Sequence, residues 1–254
     1  EFVENHELHV QKFSSLFDYS KKRMLFKEVE IETSHSLIKT DLILTSNQES
    51  YGDFKNKVSI NAQVHLADIS TVDMNNFYNE FGANETIRFE GNILGTLNDL
   101  QLDELDLKSS NKARILGDFG FKNLFDKEKD FELVVRADLI ESDFDHLSNL
   151  LPKILGESLP ESMAKLGRFE LRGGANLKGD EIDSKLTITS DLGLVVTDLK
   201  LNNLANPNHL TYKGDVERVD LELGMILNES LVGQLSMNAA IDGQGFTIES
   251  LNTA

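Results

Sequence analysis

Two residue patterns recur in alternation along this chain, and any fold it adopts must house their copies equivalently. The first runs Ala67-Asp68-Ile69, then Asp73-Met74, Phe77 and Phe81. It returns as Ala137-Asp138-Leu139, Asp143-Phe144, Leu147 and Leu151, and as Gly214-Asp215-Val216 with Asp220-Leu221. In each copy two aspartates stand five residues apart, and successive copies are offset by 70 and 77 residues. The second pattern runs Val29-Glu30-Ile31, Thr33-Ser34, Leu37 and Asp41-Leu42. Its later copies are Leu105-Asp106-Leu107, Ser109-Ser110, Ala113, Asp118-Phe119, and Leu186-Thr187-Ile188, Ser190-Asp191, Leu194, Asp198-Leu199, with offsets of 76 and 81 residues. Two independent patterns that keep step define an internal repeat, with copies spanning about 26–101, 102–181 and 182–254. No composition break interrupts them, so residues 1–254 read as one continuous repeat region.

Within the copies the period is two. Val58, Ile60, Ala62, Val64 and Leu66 alternate with Lys57, Ser59, Asn61, Gln63 and His65. Phe131, Leu133 and Val135 do the same, as do Leu235, Met237, Ala239 and Ile241. Alternation of this kind marks antiparallel strands with one apolar and one wetted face, whereas buried parallel strands read as unbroken apolar runs. The first pattern therefore predicts a strand leading into a short helix, with Asp73, Asp143 and Asp220 placed to serve its N-terminus. The second predicts a hairpin. The middle copy carries the longest helical stretch, which must stop or kink near Pro152. A second helical start follows, with Ser158 and Glu161 spaced as a capping box and Pro160 in the first turn. This insertion, 143–167, is expected to pack over one end or edge of the sheet. The fold class is mostly β: an elongated, repetitive antiparallel sheet of about eighteen strands at 4.8 Å each, with short helical insertions. Its apolar face can close as a sandwich or curl into an open trough.

Composition narrows the function. With 43 acidic and 25 basic residues the net charge is −18, which repels a phosphate backbone, and no nucleic-acid partner is expected. The only basic cluster, Lys21-Lys22-Arg23, reads as a solvated turn. Cysteine is absent, which removes disulfides, thiolate metal sites and cysteine nucleophiles and leaves the compartment open. No stretch approaches about 18 consecutive apolar residues, so no spanning helix is expected. The chain starts at Glu1 rather than Met and ends just after a strand-like run, and it reads as a segment of a longer protein.

Catalysis finds no support. Asp138 with Asp143, and Asp215 with Asp220, are the obvious acid and base pairs, but a catalytic pair is needed once and these recur in every copy. They also lack the spacing of a calcium loop. His6 and His9 could share a helical face as metal ligands, but a solvated terminus accounts for them. His65 has no partner visible in the sequence. Gly173-Gly174 and Gly243-Gln244-Gly245 interrupt strand patterns without phosphate-loop context and read as bulges or turns. Asn84-Glu85-Thr86 and Asn228-Glu229-Ser230 match a glycosylation triplet that is common by chance. With no Trp and four Tyr, aromatic platforms for carbohydrate are lacking too. The chain is expected to be no enzyme, with no cofactor and no metal.

One ordered set of short motifs points to a family. Leu159-Pro160-Glu161, Lys165-Leu166-Gly167, Phe169-Glu170-Leu171, Thr189-Ser190-Asp191-Leu192-Gly193, and Tyr212-Lys213-Gly214 through Leu223-Gly224 follow one another. Upstream stand Phe89-Glu90-Gly91-Asn92, Gly95-Thr96-Leu97, Asn98-Asp99-Leu100 and Leu105-Asp106-Leu107. In this order they resemble the TamB branch of the AsmA-like family, the translocation and assembly module, in its Bacteroidetes version, over about residues 25–254.

The resemblance implies a periplasmic protein held in the inner membrane by an N-terminal helix lying outside this chain. It implies a folded-over sheet with a hydrophobic groove, a β-taco or open β-solenoid. It also implies a part in outer membrane biogenesis: phospholipid transport between the membranes, outer-membrane protein assembly, or both. The expected partners are phospholipid acyl chains and, through parts outside this segment, an outer-membrane barrel of the TamA or BamA type. The residues expected to line the groove are Val29, Ile31, Val58, Ile60, Val64, Leu66, Leu105, Leu107, Leu133, Val135, Leu186, Ile188, Leu235, Met237 and Ile241. The alternative is a closed-core structural or adhesive β-repeat protein of the cell envelope, without a lipid conduit.

Overall fold

A computed structural model describes residues 8–46, 51–76, 81–126, 128–150, 161–204, 206, 209–222 and 233–245. Among them thirteen strands form one open antiparallel sheet in strict sequence order. They are β1 (Val10–Ser20), β2 (Arg23–Thr33), β3 (Leu37–Ser46), β4 (Val58–Ser70), β5 (Thr86–Gly95), β6 (Leu100–Ser109), β7 (Arg114–Lys122), β8 (Glu132–Asp143), β9 (Arg168–Lys178), β10 (Glu181–Ser190), β11 (Gly193–Asn202), β12 (Thr211–Glu222) and β13 (Gln234–Gln244). Thirteen strands are described, against about eighteen expected over the whole chain, and they are long. The alternating runs extend to between 9 and 13 residues, where five or six is usual. Three short helices interrupt them: α1 (Phe54–Lys57), α2 (Thr71–Asn75) and α3 (Phe144–Leu150), with a 3-10 turn at Glu161–Leu166. No helix among the described residues is long and apolar enough to cross a membrane.

The chain groups into two compact units. One holds β1 to β6, the first half of β7 and, from Asp145, α3; the other holds the rest of β7 and β8 to β13.

In the first unit the cross-strand register aligns apolar residues into rows. Phe13, Ile31, Ile38, Ala67, Phe89 and Leu107 oppose one another in turn from β1 to β6. Phe17, Phe26, Leu42, Ala62, Ile93 and Leu102 form a second row. Such opposed pairs are the unit of sheet stabilisation, each contributing roughly 0.2–1 kcal/mol. The other face carries the charges, among them Lys12 to Glu30 and Arg88 to Asp68, each at 3.0 Å.

The second unit repeats the logic. Leu171, Ile188, Val195, Val219 and Met237 oppose in turn from β9 to β13, and beside them run Leu177, Ile182, Leu201 and Tyr212. On the reverse, Glu132 lies between Lys122 at 3.4 Å and Lys178 at 3.0 Å, and Lys185 contacts Glu217 at 3.0 Å. Gly173 in β9 has φ +125°, and a Cβ there would run into the Lys185 carbonyl of β10. The glycine lets two backbones approach within a regular ladder; β9 pairs with β10 without a register shift, so Gly173-Gly174 forms neither the bulge nor the turn expected of it. Gly243, in the edge strand β13, lies under the ring of Tyr212.

The helix expectations divide. Strand-to-helix passages occur at β4–α2 and β8–α3, but Asp220 lies inside β12, where it accepts from Ser236 Oγ at 2.7 Å and from Arg218 Nε. At α2 the cap is Ser70, whose Oγ accepts from the Val72 amide at 3.2 Å. Asp143 directly precedes α3. The Gly82 backbone backs onto the carbonyl of Asn149 in α3, which places that helix against the connection into β5. Phe77, Leu151, Pro152, Ser158, Pro160, His6, Leu223, Gly224 and the Asn228 triplet lie outside the described residues.

Candidate functional site

The apolar face of each unit is the candidate site, and its construction starts with bulges. In β2, Lys27 and Glu28 stand against the single residue Asp41 of β3; Glu28 takes φ +51° and its amide donates to Asp41 Oδ1 at 2.8 Å. The same device recurs in β6, where Glu104 has φ +53° and donates to Asp118 Oδ1 at 2.9 Å. In both, the next residue inward, Val29 or Leu105, is buried on the apolar face. At the third position of this pattern no bulge forms, and Lys185 pairs directly with Asp198. The Glu28 amide holds the Asp41 carboxyl below its ordinary pKa; burial opposes this, and His65, 3.4 Å away, adds to it. Asp41 is thus the His65 partner that sequence reasoning missed. The two are 24 residues apart in the chain, and only the β3–β4 register joins them.

All seven expected groove residues of the second unit fall on one face: Leu133, Val135, Leu186, Ile188, Leu235, Met237 and Ile241 are linked through successive opposed pairs. In the first unit Val29, Ile31, Val58, Ile60, Val64, Leu105 and Leu107 share a face. Leu66 leaves it. A bulge puts both His65 and Leu66 between the pairs Thr40 with Val64 and Ile38 with Ala67, so Leu66 stands opposite Lys39 and the row continues through Ala67. Strict alternation cannot survive an inserted residue.

Four of these fifteen residues are buried (Val29, Val58, Val64 and Leu105), ten are half-buried, and Met237 is 38% exposed. The first unit's face is open at its edge, where Phe13, Phe17 and Tyr19 of β1 are 61%, 58% and 57% exposed. Between β5 and β6 it carries an apolar hollow of about 150 Å3, lined by Phe89, Ile93, Leu102, Leu105 and Leu107 over Gly91. Gly91 takes φ +146° opposite the Glu104 bulge, and the missing side chain leaves the space.

A second cluster closes the far end of β2 and β3. Asp73 is buried; it accepts from Thr33 Oγ1 and Ser36 Oγ at 2.5 Å each, with His35 Nδ1 at 3.6 Å. Burial resists its ionisation, but the hydrogen bonds from Ser36 and Thr33, with His35 beside them, outweigh that and hold its pKa below the usual value. Both hydroxyls converge on Oδ2 and tie α2 to the β2–β3 turn, which gives the cluster a structural role. Among the described residues no group of three or more His, Cys, Asp or Glu is placed to hold a metal.

These features define a class, an up-and-down antiparallel sheet with one apolar and one charged face in each unit. Comparison with protein-family models, curated proteins and solved structures finds no match to this chain.

Proposed function

We propose that the chain is part of a periplasmic scaffold of the TamB or AsmA-like kind, whose apolar sheet face forms a groove for phospholipid acyl chains passing between the inner and outer membranes. The observation that carries this reading is the half-exposed state of the face together with its apolar hollow. A face filling a sandwich core is covered by the opposing sheet, and its residues are then buried. A hollow of about 150 Å3 lined by hydrocarbon takes an apolar group about the size of benzene, and each methylene moved there from water contributes about 0.8 kcal/mol. The charge on the reverse face keeps such a sheet in solution. The repeat of 70 to 80 residues fits the same picture, since the two bulges with their aspartates recur at its spacing.

The test is a photo-crosslinking residue at Val64, Val135 or Ile188 in cells. Phospholipid adducts are expected at these sites, and none at controls on the charged face such as Gln63 or Thr187. Clean absence at all three removes the conduit and leaves the closed-core structural or adhesive reading.

A further inference from the structure

The β5–β6 pair repeats the β1–β2 pair position by position. Ser14 opposite Glu30 and Leu16 opposite Lys27 enclose the earlier bulge; Glu90 opposite Asp106 and Asn92 opposite Asp103 enclose the later one, every residue 76 further along. Beside them Phe13 with Ile31 and Phe17 with Phe26 are answered by Phe89 with Leu107 and Ile93 with Leu102. The two pairs thus offer one pairing frame filled with different side chains. Across β1 and β2 the rings of Phe17 and Phe26 meet, their centroids 4.8 Å apart. Across β5 and β6 isoleucine meets leucine, and Gly91 takes the place of Ser15. Two rings and the serine side chain are missing where the hollow of about 150 Å3 opens. We propose that this hollow is a discrete seat for the methyl end of one alkyl chain, held more tightly there than elsewhere on the face.

The chemistry of the lining selects the occupant. Phe89, Ile93, Leu102, Leu105 and Leu107 present hydrocarbon, and the side-chain amide of Asn92 is taken up by Glu104, to which it donates at 3.2 Å. None of the described residues that line the hollow is charged, so a carboxylate or phosphate finds no counter-charge there, and burying one unpaired is costly. The head of an amphiphile therefore stays outside while its tail enters. An apolar cavity of this size accepts a guest the size of benzene, which is what the Phe17–Phe26 pair supplies from its own rings. Leu105 closes the floor, while Phe89 and Ile93 are half-buried, so the rest of a chain can continue over the open face. That the alkyl chain belongs to a phospholipid rests on the groove reading above; the seat itself does not.

The probe is sodium decanoate below its micellar concentration, titrated into the full chain with isotope-labelled isoleucine and leucine methyls and followed by NMR. Saturable shifts are expected at Ile93, Leu102, Leu105 and Leu107, ahead of Leu133, Leu186 and Ile188 in the second unit. Octanoate is expected to bind about tenfold more weakly, since two methylenes are lost. Ile93→Phe combined with Leu102→Phe refills the hollow with the side chains of the earlier pair. Decanoate affinity read at Leu105 and Leu107 is then expected to fall about tenfold or more, while the urea midpoint holds or rises. The mapping on the unmodified chain decides by itself if the double variant does not fold. Shifts spread evenly over both units, or full affinity in the refilled chain, overturn the proposal. Phospholipid adducts at Val64, Val135 or Ile188 in cells without a saturable shift overturn the seat and leave the conduit; a saturable shift without adducts leaves the seat and removes the conduit.

Discussion

Asp73 shows how much one carboxylate can organise. It is charged, buried and held by Thr33 and Ser36, some forty residues earlier in the chain. Asp73→Ala leaves two buried hydroxyls without their acceptor, and hydrogen bonds to a charged group contribute about 1.5–3 kcal/mol each. The expected loss is about 3 kcal/mol or more in urea unfolding at neutral pH. Because the folded pKa is depressed, this stabilisation is fully present above the unfolded value, about 3.9, and is lost as pH falls through the lower folded value. Asp73→Asn is accordingly expected to flatten that acid limb, and an unchanged limb would place the titration elsewhere. The sequence marks Asp73 as a first-turn carboxylate, which it is, but not as the partner of Thr33, because nothing local links the two.

Among the elements, the bulged hairpins make the sharpest comparison. Asp41 and Asp118 each accept the amide of a left-handed glutamate, while Asp198, at the matching point of the sequence pattern, faces an unbulged strand. Asp118→Ala is expected to cost about 1 kcal/mol, and Asp198→Ala, which loses only an exposed ion pair with Lys185, under about 0.5 kcal/mol. Equal losses in thermal unfolding would show that the bulge contact carries no weight. Gly173→Val puts a branched side chain at φ +125° against the Lys185 carbonyl, so a loss of about 2–3 kcal/mol is expected from strain alone. The two-residue period made the strands at 58–66, 131–135 and 235–241 legible in advance, and fourteen of the fifteen expected residues share the apolar face of their unit. It failed at Leu66 because the bulge there adds one residue, which periodicity alone does not register. It also expected a helix at Asp220, where the backbone stays extended because Arg218 and Ser236 occupy the carboxylate within the sheet.

Across the whole molecule, each strand pairs only with its neighbours in sequence. Stability in such an arrangement is a sum of neighbouring terms, so loss of structure can be local. The chain has no tryptophan, so Phe26→Trp in the first unit and Tyr212→Trp in the second give separate reporters. Their fluorescence transitions in urea are expected at different midpoints. Coincident curves would mark a single cooperative body. Alternation could not distinguish trough from sandwich at this scale, because both require the same apolar face and differ only in what lies over it.

The sequential strand order also bears on how such a chain can change length over evolution. Among the described residues no segment threads past another, so a duplicated or deleted hairpin leaves the remaining neighbouring pairs in register. Only even numbers of strands can be gained or lost, because an odd change would reverse the direction of every later strand. A gene encoding such a sheet can therefore grow or shrink by whole hairpins while its hydrocarbon side keeps facing the same way.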